Sequence, residues 1–216
     1  MKVALLGTGY VATALATSLL KAGHQVAIGS RDPQGAKAQG LAQTLVNEQI
    51  TPDSYTITTQ QEVVTDSEVI LLAIPWPVVI ETLSNLENLE NKTIIDATNP
   101  LSDDFKGLAF GFDTSAAEQI AQAVPEAHIV KAFNTVGANI MADPNFGQEK
   151  AAMFYCGDRP ESKKTVEKLA KDVGLDPVDS GPLANARYLE PFAMLYIHLA
   201  VCEGYGSNIA FKMLQR

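Results

Sequence analysis

A chain of 216 residues with 46% hydrophobic and 19% charged side chains suits one full α/β domain and a small appendage, and argues against disorder or two large domains. The formal net charge of −9 argues against nonspecific attachment to nucleic acid or to an anionic membrane, since both would repel the chain at long range. Any anionic ligand therefore needs a local positive site.

The chain opens on MKVALLGTG, one lysine and a strand-length apolar run broken by glycines, without the length or cleavage pattern of an export signal. From there, strand-length apolar runs alternate with amphipathic stretches: KVALLG, QVAIG, YTITT, VILLAIP, TIIDATN and HIVKAFN. Six such strands predict an α/β fold, a doubly wound sheet of Rossmann type that is mostly parallel and covered on both faces. The first helix is expected from about Gly9 to Ala22, with Gly23 able to turn left-handed and end it. Between that helix and the first strand lies Gly7-Thr8-Gly9-Tyr10-Val11-Ala12, a GxGxxA match in the context that gives the pattern meaning. Gly7 permits a tight turn, Gly9 lets the backbone approach a pyrophosphate, and the small Ala12 lets helix pack closely on strand.

About 20 residues further on, a dinucleotide fold usually places a carboxylate to hold a ribose hydroxyl. This chain has Ser30 and Arg31 there, in VAIGSRDP. A carboxylate would repel a 2′-phosphate, whereas a guanidinium and a hydroxyl would bond to it. The pair therefore predicts NADP(H) over NAD(H). Lys37 reaches the same phosphate from the next helix or is simply a solvated helix lysine.

Ligands in such sheets lie outside the carboxyl ends of the strands. Here those ends are IPWP, DATNP and KAFNT. Ile74, Pro75 and Phe133 are expected to wall the nicotinamide, and Asn99 and Asn134 to bond its ribose or carboxamide. Trp76 either forms a further ring wall or packs in the core. Lys131 and Asn134 form Lys-x-x-Asn, but residues three apart on a strand face opposite ways, so Lys131 reads as structural.

Further along, Ser115 and Glu118 have capping-box spacing and Pro125 closes that helix. Asp158 is expected to cap the next one, with Pro160 in its first turn and Gly174 at its end. The DPVDSGPLANARY stretch places a boundary near Ser180: residues 1–180 form the dinucleotide-binding domain, and 181–216 a short, mainly helical segment. That segment is too small for its own core and should pack on the sheet domain or on a second copy of the chain. Its apolar run PFAMLYIHLAVC falls well short of the roughly 20 residues of a membrane span.

No dedicated catalytic acid emerges. Tyr155 has Arg159 rather than lysine four residues on, and there is no G-x-S-x-G elbow. His24, His128 and His198 are isolated, so no metal site is expected, and Cys156 and Cys202 read as reduced cytosolic thiols. A nicotinamide pocket without an acid suits hydride transfer to a flat, flavin-like ring, where stacking and water exclusion do most of the work.

In order and spacing, VALLGTG, GSRDP, IPW, YCGDRPESKK and DSGPLANARYLE resemble the NADP reductases that use the deazaflavin coenzyme F-420, while DATNP and VKAFNT are similar to the cytosolic NADPH domain of the STEAP metalloreductases. The first resemblance implies hydride exchange between NADP(H) and a deazaflavin, with Thr8, Ser30, Arg31, Ile74 and Ala132 as cofactor contacts. The fifth strand and its loop depart from those enzymes, and only Arg187 and Lys106 offer cations for the coenzyme's anionic tail. The combined expectation is a cytoplasmic, homodimeric NADPH-dependent oxidoreductase whose small-molecule acceptor is a deazaflavin, FMN or FAD. The alternatives are a soluble flavin or ferric reductase, and an NADP-binding redox sensor without turnover.

Overall fold

Side chains along a strand alternate between two faces, and here both faces are apolar. In β1 (Lys2–Leu6), Val3 and Leu5 join one buried cluster, and Ala4 and Leu6 join another. A strand buried on both sides needs helices on both. The computed structural model describes all residues, 1–216, and supplies those helices. β1 is followed by α1 (Tyr10–Lys21), β2 (Gln25–Ser30), α2 (Ala36–Asn47), β3 (Tyr55–Thr59), α3 (Gln60–Thr65) and β4 (Val69–Leu72). The second half continues with α4 (Val79–Ser84), β5 (Thr93–Asp96), α5 (Ala116–Ala123) and β6 (His128–Lys131). The six strands pair in parallel in the order β3-β2-β1-β4-β5-β6, which is the doubly wound arrangement expected. The chain switches direction between β1 and β4, so a crevice opens beyond their carboxyl ends.

The sheet is two strands wider than the sequence pattern indicates. After β6 come α6 (Ala138–Ala142), a small hairpin of β7 (Asn145–Phe146) and β8 (Glu149–Lys150), then β9 (Ala152–Gly157), α7 (Pro160–Asp172) and β10 (Asp176–Asp179). β9 runs antiparallel to β6, and β10 parallel to β9, giving eight strands in all. β10 reads DPVD, with low intrinsic strand preference, and a proline is tolerated there because the strand is an edge.

Local signals decide most helix ends. Gly9 is the N-cap of α1, Ala22 its C-cap, and Gly23 follows at φ +83°. The Ser115 hydroxyl accepts the Glu118 N–H at the start of α5, as its spacing predicts. Asp158 does not cap α7. That helix starts from Arg159 without a side-chain cap, and Asp158 Oδ1 instead accepts the Leu183 N–H at 2.9 Å. Pro160 occupies the first position of α7 and lacks an N–H, so one of the donors a cap would serve is already gone.

The C-terminal segment carries one long helix. α8 covers Ala186–Val201, and residues 202–216 are not helical. Gly204 and Gly206, both at positive φ, turn the chain out of the helix. The tail then runs beside β9, where the Ala152 N–H donates to the Phe211 carbonyl at 2.8 Å and the Phe211 ring lies 4.5 Å from that of Phe192. Leu183, Ala186 and Leu189 join the cluster of Ala4 and Leu6, so this segment packs on the sheet.

Candidate functional site

The loop after β1 is shaped by backbone contacts alone. Gly7 has φ +133°, its N–H donates to the Gly29 carbonyl at 3.1 Å, and a Cβ there would lie 2.3 Å from the Ala73 carbonyl oxygen. An added Cβ on Gly9 would meet nothing within 4 Å, so the backbone faces open space. α1 begins without a side-chain cap, which leaves its first amides free to meet an anion. Thr8 lines the opening, Tyr10 is 92% exposed, Val11 is half-buried and Ala12 is fully buried under the helix. Replacing Gly7 by alanine is expected to force the carbonyl of Ala73 aside, costing about 1–3 kcal/mol and weakening NADPH at least about tenfold. Thermal melting and a fluorescence titration check both effects.

Ser30, Arg31 and Lys37 meet in one basin with Gly7, Thr8 and Gly9, about 320 Å³ in volume. The Ser30 Oγ accepts the Asp32 N–H at 3.1 Å, so its own O–H remains available to donate. Arg31 and Lys37 are exposed and neither is ion-paired. α2 also begins at an uncapped glycine, Gly35, on the edge of this basin. The basin thus gathers two unpaired cations, a free hydroxyl and the open start of α1, together with one carboxylate, Asp32, whose side chain lies against Gly35 at the start of α2.

Through Gly9, Ala73, Ile74 and Pro75 the basin continues into a larger cavity of about 630 Å³, within the roughly 300–1,000 Å³ of typical ligand sites. Its walls are mostly apolar and carry no lysine, arginine, aspartate or glutamate. Trp76 is half-buried, lines the cavity and packs edge-on against Phe110, with ring centroids 5.5 Å apart. Phe133 is fully buried in the floor at φ +64°, a conformation that non-glycine residues adopt at some cost. Asn99 and Asn134 face the cavity but bond chiefly to each other. Asn134 Nδ2 donates to Asn99 Oδ1 at 3.0 Å and to the Leu189 carbonyl at 3.2 Å, and Asn99 Nδ2 donates to the Asn134 carbonyl at 3.1 Å. Ala132 is fully buried and lines neither space.

The sequence pattern did not indicate Tyr196 or Gly137. Tyr196 reaches the cavity from α8, donates to the Ser207 carbonyl at 3.0 Å, and sits so close to Gly137 that a Cβ there would be 2.0 Å from its hydroxyl. Burial raises the pKa of this phenol. The available signal was helical spacing, since Ala186, Leu189, Ala193 and Tyr196 form the buried face of α8.

Beneath the cavity lies a closed ionic network. Lys131 Nζ donates to Asp96 Oδ2 at 2.8 Å and to the Thr98 carbonyl at 2.7 Å, and is ion-paired with Glu190 Oε1 at 2.7 Å. Asp96 Oδ1 accepts from the Thr98 N–H and hydroxyl, and Glu190 accepts from the Ala116 and Ala117 amides at the start of α5. All three charged side chains are 0% exposed. Burial alone would lower the Lys131 pKa, but the two carboxylates outweigh it and the net displacement is upward. Burial raises Glu190 despite Lys131. Lys131 is therefore structural, as its strand position predicts, and Glu190 ties α8 to the sheet. Arg187 is taken as well, held by Glu118 at 2.7–3.1 Å.

Comparison with known proteins agrees with this geometry. Residues 2–100 match the family model described as NADP oxidoreductase, coenzyme F420-dependent. The F420-dependent NADP reductase of Methanothermobacter marburgensis is 32% identical over 212 residues, covering 93% of each chain. The metalloreductase STEAP3 of Rattus norvegicus is 34% identical over 190 residues, which is 88% of this chain but 36% of that protein. A crystal structure from Arthrobacter sp. FB24, described as a candidate F420-dependent NADP-reductase, superposes with a TM-score of 0.87 over the whole of both chains at 31% identity. The chain belongs to the F420-dependent NADP reductase family, and is an NADP-dependent oxidoreductase on a Rossmann-type sheet.

Proposed function

We propose that this oxidoreductase passes hydride between NADP(H) and a deazaflavin or flavin ring, with both rings inside the apolar cavity. The observation that carries this reading is the continuity of the two spaces. The phosphate basin and the cavity share Gly9, Ala73, Ile74 and Pro75, so one dinucleotide can span them with room beside its nicotinamide end. The reduced nicotinamide supplies the hydride when bound. Ser30, Arg31 and Lys37 would hold the adenosine 2′-phosphate, and the amides from Thr8 to Ala12 the pyrophosphate. Ile74, Trp76 and Phe133 would exclude water from the ring faces. No ionised side chain lines the cavity, which fits a transfer needing proximity rather than acid–base help.

Exposed Tyr188 and Leu195, seven residues apart on α8, support a homodimer through this helix. The unbridged Cys156 and Cys202 support a cytosolic setting. No helix is long and apolar enough to cross a membrane.

Anaerobic oxidation of NADPH, followed by absorbance with F420, FMN and FAD in turn, tests the reading. Turnover with at least one ring is expected. Micromolar NADPH binding with no oxidation by any of them would favour the sensor alternative.

A further inference from the structure

Every polar side chain buried in the wall of the ring cavity has already spent its hydrogens. The Thr98 hydroxyl donates to Asp96 Oδ1 at 2.7 Å, and the Tyr196 hydroxyl to the Ser207 carbonyl at 3.0 Å. Asn134, 6% exposed, gives both Nδ2 hydrogens away, one to Asn99 Oδ1 and one to the Leu189 carbonyl. Its amide cannot be turned over. Asn99 Nδ2 donates to the Asn134 carbonyl, which presents Asn99 Oδ1 to the Asn134 side chain, and both that oxygen and the Leu189 carbonyl can only accept. Asn134 Oδ1 is therefore left over. Among the buried side-chain polar atoms without a hydrogen-bond partner, it is the one that belongs to a residue lining the cavity. Such an atom is costly unless something pairs with it. Phe133, immediately before it, holds φ +64°, a strained conformation of the kind that gathers at ligand sites.

We infer that Asn134 Oδ1 accepts an N–H from the nicotinamide carboxamide, and that the Asn99–Asn134 pair, locked from α8 by the Leu189 carbonyl, fixes how the nicotinamide ring is turned. This rests on the reading above that the ring occupies the cavity, and gives that reading a recognition element. The carboxamide is the sole N–H donor of a nicotinamide ring, and an oxygen with no hydrogen of its own selects for it. Depth decides between the two rings. Asn134 and the fully buried Phe133 lie on the floor, whereas Tyr10 and Phe105, 92% and 70% exposed, lie at the mouth. A nucleotide anchored in the phosphate basin stays while acceptors come and go, so its ring takes the floor and the exchanging ring the mouth.

The test compares, by isothermal titration without any acceptor, the binding of NADP⁺ and of its acetylpyridine analogue, in which a methyl group replaces the carboxamide nitrogen. The wild-type protein is expected to bind NADP⁺ about tenfold more tightly, because the analogue buries Oδ1 unpaired. In Asn134→Leu, or in Asn134→Ala should leucine not fold, the gap should shrink to less than about twofold, through weaker binding of NADP⁺ rather than of the analogue. A wild-type gap below about twofold would overturn the inference whether or not the variants fold, as would a gap that persists in them. Riboflavin and its N3-methyl derivative, titrated into the NADP⁺-loaded protein, check the other ring. A methyl penalty present in the wild type and absent in the variant would give Oδ1 to the acceptor and overturn the assignment. Because no turnover is read, a protein that shows the nicotinamide gap yet never oxidises NADPH would sink the hydride reading and leave this one standing.

Discussion

Lys131→Met is expected to destabilise the protein by about 3–5 kcal/mol at neutral pH, a large share of the roughly 5–15 kcal/mol that holds a typical domain together. The loss does not come from volume, because methionine fills nearly the same space as the lysine stem. It comes from leaving Asp96 and Glu190 in a site where both are 0% exposed and their cation is gone. Four elements meet there: Asp96 ends β5, Lys131 ends β6, the Ala116 and Ala117 amides open α5, and Glu190 lies on α8. Burial already raises Glu190 against the pull of Lys131, so with the cation removed Glu190 takes up a proton more readily in the folded state than in the unfolded one. Its folded pKa then lies above the unfolded one, so acid favours the folded variant, and its deficit should shrink between about pH 7 and pH 5. Adding Asp96→Asn and Glu190→Gln should recover part of the loss at pH 7 by the same logic. Urea midpoints at the two pH values measure this. A deficit below about 1 kcal/mol, or one independent of pH, would show that the network stores little energy.

That network also marks where reading the sequence reached its limit. The parallel core was legible because β1, β4 and β5 are short, continuous apolar runs between glycines and polar turns, and the fingerprint from Gly7 to Ala12 sits where a strand meets a helix. The basin was legible for a similar reason: Ser30 and Arg31 lie close in sequence to the strand end that presents them. Glu190 was not, since its partners Lys131, Ala117 and Ala116 lie 59, 73 and 74 residues earlier along the chain and only the fold brings them together. Yet it falls on the buried face of α8, four residues after Ala186 and three before Ala193, and a helical wheel would have placed its charge inward. β9 and β10 escaped notice because YCGDRPESKK is dominated by its helix signals and DPVD by its turn residues. Tyr196 entered the site from the far end of the chain. Arg187, a cation candidate by type, turned out to be held by Glu118, and composition carries no information on pairing.

Arg31→Asp is expected to weaken NADPH binding by about a hundredfold while changing NADH binding by less than about threefold. A charge-assisted bond from the guanidinium to a 2′-phosphate is worth roughly 1.5–3 kcal/mol, and aspartate would replace that attraction with repulsion. Because Arg31 is exposed, solvent and salt screen the repulsion, so the total settles near the 2.7 kcal/mol that a hundredfold represents rather than at the unscreened sum. The environment supports a specific role: Arg31 has no competing carboxylate partner at salt-bridge distance, and Ser30, Lys37 and the uncapped start of α2 border the same basin. Lys37→Ala should follow with a smaller loss, about three- to tenfold, since one cation and the hydroxyl remain. The wild-type preference for NADPH over NADH should also narrow as salt rises, whereas apolar contacts at the nicotinamide end would not respond in that way. Isothermal titration with both nucleotides at two salt concentrations separates these contributions. Equal weakening of NADPH and NADH by Arg31→Asp would mean that the side chain shapes the loop after β2 and does not read the phosphate, and the cofactor preference would then have to arise from Ser30, Lys37 and the amides of α2.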